Sequence, residues 1–137
     1  HRYLPDAAPE MDTAPPDKAR KLVLCSGKVY FDLLAEREAR GATDVAIGRL
    51  EQISPFPHDH IQREAQKYPN AKIVWCQEEP KNAGAWFYVK PRIVTATRDV
   101  REVSVQFAGR KPTASTATGH GAVHAREQSA LVNEALS

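Results

Sequence analysis

A few short stretches of this 137-residue chain carry residue types that could do chemistry. Ser26-Gly27-Lys28 stands where an apolar run gives way to a helical pattern, so its amides and the lysine could hold an anion at a helix N-terminus. The phosphate-binding P-loop needs an earlier glycine and a Ser or Thr after the lysine. Here Val29 follows, and no G-x-G-x-x-G is present. A tight turn that requires glycine is the plainer reading. Glu78-Glu79 offers two carboxylates for acid/base work, but neighbours in an extended loop point apart, which suits a solvated or interfacial acid pair better. His120 and His124 are four apart on one expected helix face, a spacing for two metal ligands with no third in reach by sequence. His58 and His60 are two apart on a helix and so face different ways.

Cys25 and Cys76 each lie at the end of a short apolar run. Neither has a base or cation beside it in sequence, so both read as small core side chains kept reduced and unpaired, not as nucleophiles.

The stretch that must position most of these groups runs from Lys72 to Trp86. Ile73 to Cys76 is rich in β-branched and aromatic residues, as a buried parallel strand should be. The strand is expected to end in Gln77-Glu78-Glu79-Pro80, because proline cannot continue a central strand. Asn82 and Gly84 supply turn and cap chemistry before a helix opens at Ala85-Trp86-Phe87-Tyr88. Polar side chains thus gather at a strand's carboxyl end, where open α/β sheets place their ligands. Consecutive Trp86, Phe87 and Tyr88 cannot all face one core, so at least one ring should be exposed. An interface built from Glu78, Glu79, Trp86 and Tyr88 is the expectation, with Trp86 as its anchor.

In chain order, residues 1–20 hold Pro5, Pro9, Pro15 and Pro16 among acidic and small residues and read as an extended linker. Residues 21–137 form the single domain. Lys21 to Cys25 is a strand; the helix after it carries Tyr30, Leu33, Leu34 and Arg37 and stops at Gly41. Asp44 to Gly48 is a second strand, and Pro57 starts a helix with Ile61, Ala65 and Tyr68 on one face. The helix from about Ala85 should bend near Pro91, Val103 to Phe107 should be a strand, and Gly109 to Gly119 a loop. A last helix carries Val123, Leu131, Val132 and Leu136. Such alternation predicts a three-layer α/β fold: a mostly parallel sheet of four to five strands, helices on both faces, right-handed crossovers.

Composition excludes little but narrows the partners. With 42% hydrophobic and 26% charged residues the chain can build a core, and a net charge of +2 implies neither nucleic acid nor a polybasic membrane partner. No apolar run approaches the ~20 residues that span a bilayer. The chain begins at His1 without a leader-like segment and is expected to be a processed product or a piece of a longer polypeptide.

Leu24-Cys25-Ser26-Gly27-Lys28-Val29-Tyr30, Arg49-Leu50-Glu51-Gln52-Ile53-Ser54-Pro55-Phe56-Pro57 and Val74-Trp75-Cys76-Gln77-Glu78-Glu79-Pro80 closely resemble one family. Together with Gly84-Ala85-Trp86, Ala108-Gly109-Arg110 and Ala117-Thr118-Gly119, they look like the C-terminal domain of 2-oxoglutarate dehydrogenase, over about residues 21 to 136. That domain is similar to the C-terminal domain of transketolase-like enzymes. The resemblance implies a full enzyme, an oxidoreductase of the tricarboxylic acid cycle, that decarboxylates 2-oxoglutarate on thiamine diphosphate and magnesium. It then passes the succinyl group to a lipoyl-bearing second component.

The diphosphate motif of such enzymes, Gly-Asp-Gly with later asparagines, is missing here, so no catalytic residue, cofactor or metal is carried over to this chain. The family's domain supports dimerisation with a second subunit and, in some members, borders an acyl-CoA or nucleotide effector site. On that basis Gln77 is placed nearest an effector, with Lys28 and Arg110 beside it on charge and loop position. The implied compartment is the mitochondrial matrix or a bacterial cytoplasm. The alternatives are a stand-alone acyl-CoA- or nucleotide-binding module and a structural subunit that kept the fold without catalysis. The native mass separates them from a domain of a larger enzyme.

Overall fold

Alternating burial builds the sheet. In β1 (Lys21–Cys25), Leu22 and Leu24 turn to one face and Val23 and Cys25 to the other, all sealed from solvent. The computed structural model describes residues 15–110 and 121–137. After β1 come α1 (Val29–Arg40), β2 (Val45–Arg49), α2 (His58–Lys67), β3 (Lys72–Pro80), α3 (Trp86–Thr97), β4 (Gln106–Arg110) and α4 (Gly121–Leu136). The four strands are parallel in the order β2-β1-β3-β4. Leu22, Leu24, Ile73 and Trp75 pack under α2 and α3, while Val23, Cys25, Val74 and Cys76 pack under α1 and α4. This is the three-layer α/β architecture that the alternation implied.

The order of the strands fixes where loops gather. The chain leaves β1 for β2 on one side, then crosses back through α2 to β3 on the other. The loops that follow β1 and β3 therefore diverge at the carboxyl end of the sheet, the switch point of an open α/β fold. Gly41, with φ of 63°, ends α1 as a left-handed cap whose N–H bonds back to Arg37 and Glu38. Ile61, Ala65 and Tyr68 are all buried along α2, as their spacing implied.

Several boundaries differ from expectation. β3 does not stop at Cys76 but runs to Pro80. Its β1 neighbour ends opposite Cys76, at Cys25, so farther along β3 that side has no strand to receive a hydrogen bond. Pro80 therefore costs no ladder bond there, and after an irregularity it pairs with Arg110 of β4. The last strand is shifted from 103–107 to Gln106–Arg110, which puts Gly109 and Arg110 in the sheet. α3 continues through Pro91, the expected bend. Arg92 Nη1 donates to the Tyr88 carbonyl at 2.8 Å and the Thr95 hydroxyl to that of Pro91 at 2.9 Å, adding bonds on both sides of the missing N–H.

The segment just before β1 also belongs to the packed body. Pro16–Lys18 forms a 3-10 turn and Ala19 is buried. Arg20 Nε bonds Asp44 at 2.7 Å, and its terminal nitrogens donate to the carbonyls of Ser137 and Leu136 at 2.8 and 2.9 Å. Lys21 Nζ reaches the Ala135 carbonyl at 3.3 Å. Two cations thus sit at the C-terminus of α4, where the helix dipole is negative. Burial, with Arg20 and Lys72 nearby, holds the Lys21 amine below its ordinary range.

Candidate functional site

At the carboxyl end of β3 the backbone must leave the sheet and re-enter a helix within a few residues, and one side chain organises that turn. Gln77 is 3% exposed. Its Oε1 accepts the Trp75 indole N–H at 2.9 Å, and its Nε2 donates to the carbonyls of Pro80 and Ala83, both at 2.8 Å, and of Glu79 at 3.1 Å. The amide thus takes up carbonyls that a tight loop would otherwise strand. Gly84, with φ of 70°, lets the chain come close: a β-carbon there would lie 3.1 Å from Gln77 Nε2.

Arg110 braces the same loop from β4. Its side chain is 10% exposed. Nε donates to Glu127 at 2.9 Å, Nη2 to Gln128 Oε1 at 3.0 Å, and Nη1 to the Glu78 carbonyl. Gln128 in turn donates to Asp32 of α1 at 2.8 Å. One guanidinium therefore ties β3, β4 and α4 together, and through Gln128 it reaches α1.

These contacts show how the expected site residues are held. Gln77, placed near an effector, spends its amide hydrogens on loop carbonyls, and Arg110 directs most of its N–H groups at partners within the domain. Lys28 is exposed; it opens α1 without a side-chain cap, and Gly27, with φ of 83°, shapes the turn before it. The structure favours the tight-turn reading of Ser26-Gly27-Lys28. Trp86, the expected anchor of a protein contact, is instead 3% exposed, with its ring 5.1 Å edge-on to Phe107 in the domain's own core. The exposed ring is Phe87, at 68%. Tyr88 is half-buried under Arg92, whose guanidinium carbon lies 3.6 Å from the ring centroid. Glu78 is half-buried and Glu79 exposed, and neither carboxylate joins an ion pair among the described residues.

Two features went unread in the sequence. Arg37 is fully buried and donates to the Val45 carbonyl at 3.1 Å, although its helical spacing with Leu33 put it on the core face. Arg49, at the end of β2, lies 5.7 and 5.4 Å from the ring centroids of Tyr30 and Phe31. Nothing local marks that second contact, because it joins separate elements.

Cys25 and Cys76 are register partners on β1 and β3, buried and free. Burial pushes the Cys76 thiol up to about 12 and raises Cys25 further in the same direction. Neither thiol is an activated nucleophile. Among the described residues no three His, Cys, Asp or Glu side chains converge as a metal cage would need. His124 lies 3.3 Å from Arg110, and His120 lies outside the described residues. Among the described residues no such cluster is there to hold magnesium.

Comparisons with known proteins agree with the residue pattern. The family model described as 2-oxoglutarate dehydrogenase C-terminal matches residues 1–136. The chain is 46% identical over 131 residues to the 2-oxoglutarate dehydrogenase E1 component of Coxiella burnetii, covering 93% of this chain and 14% of that protein. It is 50% identical over 110 residues to a mitochondrial 2-oxoglutarate dehydrogenase-like protein of Pongo abelii, covering 80% and 11%. With the mitochondrial 2-oxoglutarate dehydrogenase of Schizosaccharomyces pombe it shares 45% over 124 residues, covering 89% and 12%. The chain thus spans about a seventh or less of the length of these relatives. A solved split-gene transketolase, an inactive beta4 tetramer, superposes with a TM-score of 0.57 at 13% identity, covering 94% of this chain and 44% of that one, and so shares the fold. On the family match over residues 1–136 and these identities, the chain belongs to the 2-oxoglutarate dehydrogenase C-terminal family.

Proposed function

We propose that this domain serves assembly and regulation within a 2-oxoglutarate dehydrogenase whose decarboxylation chemistry lies in other domains. The observation that carries the reading is the family match over residues 1–136. The geometry is consistent with it: at the carboxyl end of the sheet, Gln77 and Arg110 fix backbone shape. The whole enzyme would decarboxylate 2-oxoglutarate with thiamine diphosphate and magnesium and deliver the succinyl group to a lipoyl-bearing component. The partners of this domain are then the enzyme's other domains and a second subunit. Glu78, Glu79 and Tyr88 form the contact rim, and Lys28 is the group left to meet an acyl-CoA or nucleotide effector. Bacterial and mitochondrial relatives both occur, so the compartment is a bacterial cytoplasm or the mitochondrial matrix. Among the described residues no helix is long and apolar enough to cross a membrane.

Two measurements test this. The purified 137-residue chain, given thiamine diphosphate, magnesium and 2-oxoglutarate, should release no carbon dioxide above a buffer blank. Turnover that survives repurification would overturn the reading. In the full-length enzyme, a combined Glu78→Ala and Glu79→Ala variant should weaken subunit association while leaving the melting temperature of the isolated domain unchanged. Unaltered association would remove these carboxylates from the interface.

A further inference from the structure

The solvent face of α3 is built unlike the rest of the surface. Phe87, Pro91 and Val94 recur at i, i+4 and i+7 and so lie along one line of the helix. All three are exposed, and Phe87 and Val94 are two of the three large hydrophobic side chains exposed among the described residues. The third, Phe31, is on α1, across the sheet. Single exposed apolar side chains need no explanation, but a line of them along one helix does.

The charges within α3 have one sign. From Lys81 to Arg98 the sequence holds four cations, Lys81, Lys90, Arg92 and Arg98, and no Asp or Glu, with Glu79 and Asp99 just outside either end. None of the four meets a carboxylate among the described residues. Lys81 and Lys90 are held 5.9 and 5.5 Å from the Trp86 ring centroid, and Arg92 is stacked on Tyr88. α2, packed alongside, does not neutralise them, since its Asp59 and Glu64 are matched by Arg63 and Lys67. Cations parked over aromatic rings keep N–H groups free for an incoming acceptor.

This pattern selects its occupant by charge. Two copies of the same face would bring like charges together and repel. A nucleic acid would satisfy the cations but not the apolar line. We propose that the exposed face of α3 docks an acidic polypeptide segment with two apolar anchors, the anchors seated on Phe87 and Val94 and the carboxylates reaching Lys90 and Arg98. A helix of this length spans about 18 Å, enough for roughly three turns of a bound helix. Nothing in this proposal depends on the enzyme reading above.

The test uses the 137-residue chain and two fluorescent helical peptides of about 15 residues. Both carry leucines at i and i+7; one has glutamates beside them and the other lysines. The glutamate peptide should bind at least about tenfold more tightly, with an affinity that falls as salt is added. Phe87→Ala, and Lys90→Ala combined with Arg98→Ala, should each weaken it about tenfold, while Phe31→Ala leaves it unchanged. Equal binding of the two peptides, no binding of either, or equal effects of Phe87→Ala and Phe31→Ala would overturn the proposal. Sedimentation velocity of the chain alone covers the remaining case. A self-dimer dissociated by Phe87→Ala would make a second copy the occupant and the proposal wrong.

Discussion

Trp75 and Gln77 stand two residues apart on the same face of β3, and the indole N–H donates to the Gln77 amide oxygen at 2.9 Å. That bond aims the amide nitrogen at the carbonyls of Glu79, Pro80 and Ala83. A core tryptophan therefore positions the turn that leads into α3. Replacing Gln77 by leucine keeps the volume but orphans the indole N–H and the loop carbonyls. The expected loss is about 2–4 kcal/mol in urea unfolding. Gln77→Glu, which keeps the acceptor and loses the donor, should be similarly costly. A Gln77→Leu chain as stable as the parent would show that the amide does not hold the loop.

Gly84 and Gly41 offer a matched pair for separating close approach from backbone strain. Both have positive φ, 70° and 63°, yet a β-carbon at Gly41 meets nothing within 4 Å, while one at Gly84 would press on the Gln77 amide and on the Glu79 β-carbon. Gly41→Ala should cost about 1 kcal/mol, from the left-handed backbone alone. Gly84→Ala should cost more, about 2–3 kcal/mol, because the amide must shift. In a Gln77→Ala background the excess should shrink, leaving only the share owed to the Glu79 β-carbon at 3.1 Å, which a double-mutant cycle would read directly.

The Arg110 side chain joins elements that are far apart in sequence, so its loss should be felt unevenly. Arg110→Met removes the bonds to Glu127, Gln128 and the Glu78 carbonyl while keeping an apolar stem. Hydrogen exchange should quicken more in α4 and in the 78–84 loop than in β1 and β2, whose exchange follows global stability. Global stability should fall by about 1–3 kcal/mol. Arg110→Lys should rescue little, because one ammonium cannot reproduce a planar fork of donors. Uniform exchange across the domain would mean that the guanidinium is no local brace.

What the sequence disclosed follows from the range of the forces involved. Strand and helix identities were legible because burial on both sheet faces prints an unbroken apolar run, as in Leu22 to Cys25, and a helix prints a stripe, as in Ile61 and Ala65. The extension of β3 to Pro80 was not legible. It depends on β1 being shorter than its neighbour, a fact about pairing rather than about the residues of β3. The internal bonds of Gln77 and Arg110 were illegible for a related reason. A polar side chain at a strand end looks available until the backbone that it satisfies has been placed around it. Trp86 was assigned outward because three adjacent aromatics must divide between core and solvent, and periodicity alone does not say which of them goes in. Phe107, brought from another strand, decides it.

The two cysteines supply a prediction in which pH is the variable. Cys25 and Cys76 are register partners, fully buried, with Cys25 Sγ 3.7 Å from the Gly48 carbonyl. Burial raises both thiols above their ordinary value of 9.0, Cys76 to about 12. A group whose pKa is raised by folding contributes stability that is complete below its unfolded value and lost as pH climbs towards its folded one. Stability should therefore be insensitive to these thiols up to about pH 8 and should fall between about pH 9 and 12, as the unfolded chain ionises and the fold does not. Lysines and tyrosines also titrate in that window, so the measurement is the difference between the parent and a Cys25→Ala, Cys76→Ala chain. The parent should lose stability more steeply above pH 9, and the gap should be flat below pH 8. At neutral pH both thiols should resist alkylation in the native state and react promptly in urea. Rapid native labelling, a disulfide found by mass spectrometry, or parallel pH profiles for the two chains would show that the thiols are not held neutral in a closed core.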